Sequence, residues 1–169
     1  PATVATLTSI GPNLNHALGD LRPLAPNPAP QFDLSSAAEI PLLLSATAEQ
    51  AARQSICGSL GYSFWAINKV PWPGDTADPL APIEELKLGK SYVLTMKNVT
   101  PHAHPIHLHG MNFTVLRSTR EEAPKLISDT YLIFPDETVQ LGLVADNVGD
   151  WGVHCHIIEH QKTGMNGYF

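Results

Sequence analysis

Six of the eight histidines in this 169-residue chain sit in two short clusters. One reads His104-Pro105-Ile106-His107-Leu108-His109-Gly110. The other reads Trp151-Gly152-Val153-His154-Cys155-His156-Ile157-Ile158-Glu159-His160, and Met165 follows. Histidines that only fill a core do not gather this way, because each buried ring needs a partner of its own. Imidazole, thiolate and thioether side chains at this density are the makings of a metal centre.

The spacing divides these groups between two sites. Successive side chains of a β-strand point to opposite faces. His154 and His156 therefore share one face, and Cys155 takes the other. If the chain turns helically after His156, His160 swings back to the thiolate side, and Met165 can close that side from a third direction. One more nitrogen is needed there. His104 is the natural candidate, set apart from its neighbours by a bend expected at Pro105. A cysteine, two histidines and a distant methionine form the ligand set of a blue-copper electron-transfer site. His107 and His109, two apart, share a strand face and should point where His154 and His156 point. Cys155 thus joins a mononuclear thiolate site to an imidazole-rich one, and one or two covalently linked residues separate them.

Two plainer readings compete. One takes the rings as satisfied polar groups of a core. The other places a structural zinc at Cys155. Structural zinc favours paired cysteines, and an alternation that turns Cys155 away from its neighbours serves one zinc poorly. His16 and His102 read as ordinary histidines, and Trp65, Trp72 and Trp151 as packing residues. Asp129 precedes an expected strand, where it suits either a turn or a hydrogen bond near the metal region.

The elements that must position these groups are strands. From about residue 38, short apolar runs alternate with turn signals, as in an all-β domain. Strands are expected at 40–46, 62–67, 112–117, 130–134, 138–144 and 152–156. A hairpin is expected from 85–88 and 92–98 around Gly89-Lys90. A helical segment fits 157–162, and 48–56 suits either a loop or a short helix. The count predicts a Greek-key β-sandwich or barrel. Pro12, Pro23, Pro26, Pro28 and Pro30 crowd the first 37 residues and predict an extended Pro-rich N-terminal arm. The expected division is therefore an interdomain arm over 1–37 and a β-domain over 38–169.

Composition narrows the partners. The chain is 43% hydrophobic and 15% charged, with a net charge of -6 and no basic cluster. That argues against nucleic acid and anionic membrane surfaces. No apolar run is long enough to cross a bilayer. The start, Pro1-Ala2-Thr3, reads like the interior of a longer polypeptide, so an absent leader says little. If Cys155 is a ligand, Cys57 has no partner in the chain.

Taken together, the 104–110 motif and the series His154-Cys155-His156, His160, Met165 resemble the multicopper oxidase family of laccases, ascorbate oxidases and bacterial copper oxidases. Lys97-Asn98-Val99-Thr100 and the segment 145–151 resemble its bacterial branch. The resemblance spans roughly residues 38–169 and is densest at 99–116 and 149–169. It implies a cupredoxin-type fold, the last in a series of such domains, with copper as the cofactor. By this resemblance His104, Cys155, His160 and Met165 bind type 1 copper, complete within this chain. His107 is a ligand of type 2 copper, and His109, His154 and His156 are ligands of the type 3 pair. The remaining ligands of that trinuclear cluster come from a first cupredoxin domain, so the type 2 and type 3 sites are only partly liganded here. The implied activity is laccase-like. A phenol, aromatic amine or metal ion gives single electrons through His160 and Cys155, and dioxygen is reduced to water only together with the N-terminal domains. A periplasmic or extracellular location is the family's habit.

Two features depart from relatives. Some bacterial members carry an acid directly after the second type 1 histidine, where this chain has Gln161, which cannot titrate. Only Met96, Met111 and Met165 occur, with no methionine-rich segment of the kind seen in cuprous-ion oxidases. Two other functions remain open. A stand-alone blue-copper carrier would leave His107, His109, His154 and His156 unexplained. A subunit of a nitrite-reductase-type enzyme would not need both His-x-His pairs.

Overall fold

The computed structural model describes residues 8, 10–11, 25, 30–46, 64–74, 80–123 and 127–169. Among them the chain runs β1 (Ala38–Ser45), β2 (Ala66–Ile67), β3 (Ser91–Asn98), β4 (His104–Leu108), β5 (Phe113–Ser118), β6 (Ile127–Ser128), β7 (Thr130–Ile133), β8 (Thr138–Val144), β9 (Gly152–Cys155), α1 (Ile158–Lys162) and β10 (Asn166–Tyr168). The strands form a larger sheet of order β2-β1-β3-β8-β5-β6 and a smaller one of order β10-β9-β4-β7. β1 and β3 run parallel; the other pairings are antiparallel. Strand neighbours that are distant in sequence, divided between two sheets, give the sandwich that the turn spacing predicts.

Alternation builds the core. Ile40, Leu42 and Leu44 of β1, Leu94 and Met96 of β3, and Leu141 and Leu143 of β8 are buried. From the smaller sheet Ile106, Leu108, Ile133, Val153 and Cys155 join the same cluster. The smaller sheet therefore has one face on the core, and Cys155 belongs to that face.

Three local expectations need correction, and two elements are not among those expected. Residues 85–88 form no strand, because both edges of β3 are already occupied by β1 and β8. Leu86 packs against the core instead, and the Lys87 N–H donates to the Tyr92 hydroxyl at 2.8 Å. In the expected strand 62–67, only Ala66–Ile67 pairs among the described residues. Pro105 makes no bend: β4 runs straight through it, and its carbonyl accepts from the His156 N–H at 2.7 Å. Finally, the two- and three-residue strands β6 and β10 are too short to carry a period of their own. The segment 48–56, Cys57, His16 and most of the proline-rich arm lie outside the described residues.

The end of the arm is anchored. The Asp33 N–H donates to Ser91 Oγ at 3.0 Å, and Phe32 lies over Gly142 of β8, where an added Cβ would stand 2.8 Å from the ring. A second close approach fixes the turn after α1. The N–H groups of Phe64 and Trp65 both donate to the Thr163 carbonyl, at 2.8 and 3.0 Å. Gly164 has φ +126°, and a Cβ there would overlap the Trp65 carbonyl oxygen.

Gly164→Ala should therefore lose more than about 3 kcal/mol in denaturant unfolding, since strain and a backbone clash add. Gly89→Ala is the control, with φ +77° and open space around it. It should cost roughly 1–2 kcal/mol, from strain alone. Equal losses would show that the approach to Trp65 is not what holds this turn.

Candidate metal centre

β9 lies between β10 and β4. Cys155 is opposite Ile106, and its N–H donates to the Met165 carbonyl at 3.1 Å. Its sulfur is 3.7 Å from His104 Nδ1 and 3.5 Å from His160 Nδ1. The two ring nitrogens are 3.0 Å apart. His104 arrives from β4 on the core face, three residues from His107 and therefore on the opposite side of the strand. His160 arrives from α1, whose single turn follows the end of β9. The Met165 N–H donates to the His160 carbonyl at 2.9 Å, and the Met165 side chain is fully buried. Trp65 walls the site, its ring centroid 4.2 Å from that of His160 and 5.0 Å from that of His104. The packing role expected of this tryptophan is thus played against the two imidazoles.

Burial dominates the electrostatics. It pulls the His104 imidazole down to about 4, helped by the neighbouring His160 and His102. It lowers His160 too, against the opposing pull of Glu159. It pushes the Cys155 thiol up to about 11. Without a cation all three groups are neutral at pH 7, and a thiolate forms here only when a cation replaces the proton. Among the described residues, His104, Cys155 and His160 are the one group of three such side chains close enough to hold an ion together. Among the described residues no fourth histidine, cysteine or carboxylate joins them, as a closed structural zinc site would need. One soft sulfur, two imidazoles and a methionine bonded through its backbone to two of the three residues suit copper.

The opposite face of the same strands carries the other four rings. His107 lies directly across from His154 in the β4–β9 register. The centroid of His107 is 4.9 Å from that of His109, 5.6 Å from His154 and 5.3 Å from His156. His154 is buried, whereas His109 and His156 are exposed. Hydrogen bonds fix two tautomers. His107 Nδ1 faces the Asp129 carbonyl at 3.1 Å and Thr130 Oγ1 at 2.9 Å. The Thr130 hydroxyl spends its hydrogen on Asp129 Oδ1, so both neighbours accept and Nδ1 must donate. His154 Nδ1 faces the Cys155 carbonyl at 3.0 Å and must donate as well. In both rings Nε2 is left with a lone pair and no hydrogen. His154 Nε2 lies 2.9 Å from His109 Nε2. The eight residues singled out in the sequence therefore lie along β4 and β9 and in the α1–β10 segment beside them, with His104 and Cys155 on the core face of the smaller sheet and His107, His109, His154 and His156 on the other. Thr130, whose hydroxyl holds His107, carried no signal in the sequence.

A family model for multicopper oxidases matches residues 38–169. The chain belongs to the multicopper oxidase family. It is similar to multicopper oxidase MmcO of Mycobacterium tuberculosis, 36% identical over 108 residues, covering 64% of this chain and 20% of that protein. It is similar to the L-ascorbate oxidase of Cucurbita maxima, 39% identical over 85 residues, covering 44% of this chain and 15% of that protein. In structure it resembles a multi-copper oxidase from Pseudomonas thermotolerans, with a TM-score of 0.73 and 34% identity, over 91% of this chain and 34% of that one. The chain thus spans between 15% and 34% of the length of these multicopper oxidases. Copper is the metal this family implies. No helix among the described residues is long and apolar enough to cross a membrane.

The lowered histidines set an acid limit for the metal-free protein. A histidine held neutral by burial binds its proton more readily when unfolded, so stability is full above about pH 6.5 and falls as the pH drops toward 4. Denaturant unfolding of metal-free protein should show that fall, and His104→Gln should flatten part of it. A profile level from pH 7 to 4.5 would mean that the rings are better solvated than their burial implies.

Proposed function

We propose that this chain is the C-terminal cupredoxin portion of a laccase-like multicopper oxidase, with residues 1–37 as an interdomain arm and 38–169 as the domain itself. Its substrates would be phenols, aromatic amines or metal ions, oxidised one electron at a time. The acceptor would be dioxygen, reduced to water at a trinuclear cluster shared with a first cupredoxin domain. One observation carries this reading: Cys155 meets His104 and His160 on the core face of β9, while its two chain neighbours join His107 and His109 on the other face. A stand-alone electron carrier has no use for the second set. A periplasmic or extracellular location goes with the family.

In this reading His104, Cys155, His160 and Met165 hold type 1 copper. His107 serves type 2, and His109, His154 and His156 serve the type 3 pair. Copper, when bound, supplies the one-electron chemistry of the first site and the dioxygen chemistry of the second. The protein's part is to hold donors and exclude water. His160 Nε2 lies 3.5 Å from the half-exposed Glu159 carboxylate, so this ring edge is where the inner site approaches a docked donor. Cys155 lies in the dry core, and a single peptide unit connects it to each neighbouring histidine. The strand itself is then the covalent link between the two sites.

Copper content and spectra test the reading. This chain alone should hold a single, intensely blue copper, with further copper bound only in assembly with the first cupredoxin domain. A chain that consumes dioxygen unaided would overturn the shared cluster. In the assembly, Cys155→Ser should lose the blue absorption and one copper while keeping the rest. Met165→Leu should keep the colour and raise the reduction potential, because the axial position tunes it. A potential unmoved by that change would remove Met165 from the ligand set.

A further inference from the structure

Deepening the reading of His104 as a ligand, we propose that Asn98 and Thr100 are positioning residues that fix its tautomer before any metal arrives. They hold the hydrogen on Nε2 and present Nδ1, with its lone pair, to Cys155 and His160. Both residues are buried, Asn98 at 0% and Thr100 at 2% relative exposure.

The argument is a count of hydrogens. The Asn98 amide nitrogen faces three backbone carbonyls, those of His102 at 2.7 Å, Ile133 at 3.2 Å and Phe134 at 3.0 Å. Carbonyls only accept, so this atom must be the NH2 group, and the amide cannot be flipped. Asn98 Oδ1 is then fixed as an acceptor. It receives the Thr100 N–H at 2.9 Å and the Thr100 hydroxyl at 2.8 Å. Among the described residues the other oxygen acceptor near that hydroxyl is the His102 carbonyl at 3.1 Å.

A hydroxyl has one hydrogen, and these two oxygens compete for it. Turning it toward His104 Nε2 instead would leave one well-formed bond to Asn98 unmade in a buried site. Thr100 Oγ1 therefore offers a lone pair to His104 Nε2, 2.7 Å away, and Nε2 must carry the hydrogen. Nδ1 is left to face Cys155 Sγ and His160 Nδ1. Asn98 also ties the end of β3 to the turn after β7, so the relay is anchored in two strands. A hydrogen bond to the remote ring nitrogen orients a ligating histidine and raises its basicity.

The test is nitrogen-15 NMR of histidine-labelled, metal-free protein, with copper titration of the same samples. Wild type and Thr100→Ser should show His104 hydrogen-bearing at Nε2. Thr100→Val keeps the shape and removes the acceptor. It should release the tautomer to a mixture or to the Nδ1–H form, and weaken copper binding at the blue site at least ~10-fold. A Thr100→Val protein that keeps the Nε2–H tautomer overturns the proposal, as does a wild type carrying the hydrogen on Nδ1. If every variant fails to take up blue copper, the copper reading falls, and the tautomer measurement on metal-free protein still decides the relay.

Discussion

Two neighbours on a β-strand cannot face the same way, and the arrangement of this molecule follows from that constraint acting at Cys155. The residue is pinned on both sides: β9 is bonded to β10 and to β4, and the flanking amides reach the carbonyls of Met165 and Pro105. With the strand held in that register, the thiol must enter the core and its two neighbours must leave it. The same rule on β4 sends His104 inward and His107 outward. One sheet therefore carries two donor sets whose environments differ as sharply as its two faces do.

The inner set lies in the dry interior, and that sets its chemistry. Burial drives the thiol up and the imidazoles down, so an uncharged group of three occupies a space where charge would be costly. A cation that binds there gains a thiolate in an apolar surrounding, at the cost of releasing a proton. The walls of the site must then be rigid rather than charged. Trp65 supplies area against both rings. Its carbonyl lies so close to Gly164 that the α1–β10 turn has no room to shift. Met165, next in sequence, is thereby held beside Cys155 and His160 through its own backbone.

Much of this was written in the sequence at the level of spacing. The i, i+2 pairs at 107/109 and 154/156, and the odd intervals 104/107 and 154/155, sort the residues to faces without any coordinates. His104 shows how a right sorting can rest on a wrong cause. A bend at Pro105 is unnecessary, because an odd step within one straight strand does the same. Long-range pairing was not legible. Nothing local in residues 85–88 says that both edges of β3 are already occupied by strands from elsewhere in the chain. Nor could spacing find Thr100 or Thr130, whose hydroxyls matter only because strands bring them to a ring nitrogen. Trp65, far upstream of the motif, carries no mark of its position.

The two faces also differ in which ring nitrogen they offer, and this has a geometric meaning. Nδ1 is the nitrogen near the backbone, and Nε2 lies at the far tip of the ring. On the inner face His104 and His160 turn Nδ1 toward Cys155, so the donor atoms there lie near the backbone and inside the domain. On the outer face His107 and His154 give their Nδ1 hydrogens to carbonyls of the chain. Their Nε2 atoms, at the far tips of the rings, are left without hydrogen, and that of His154 meets His109 Nε2 at 2.9 Å. The inner donors thus face the buried core, and the outer ones lie on the opposite face, where His109 and His156 are exposed.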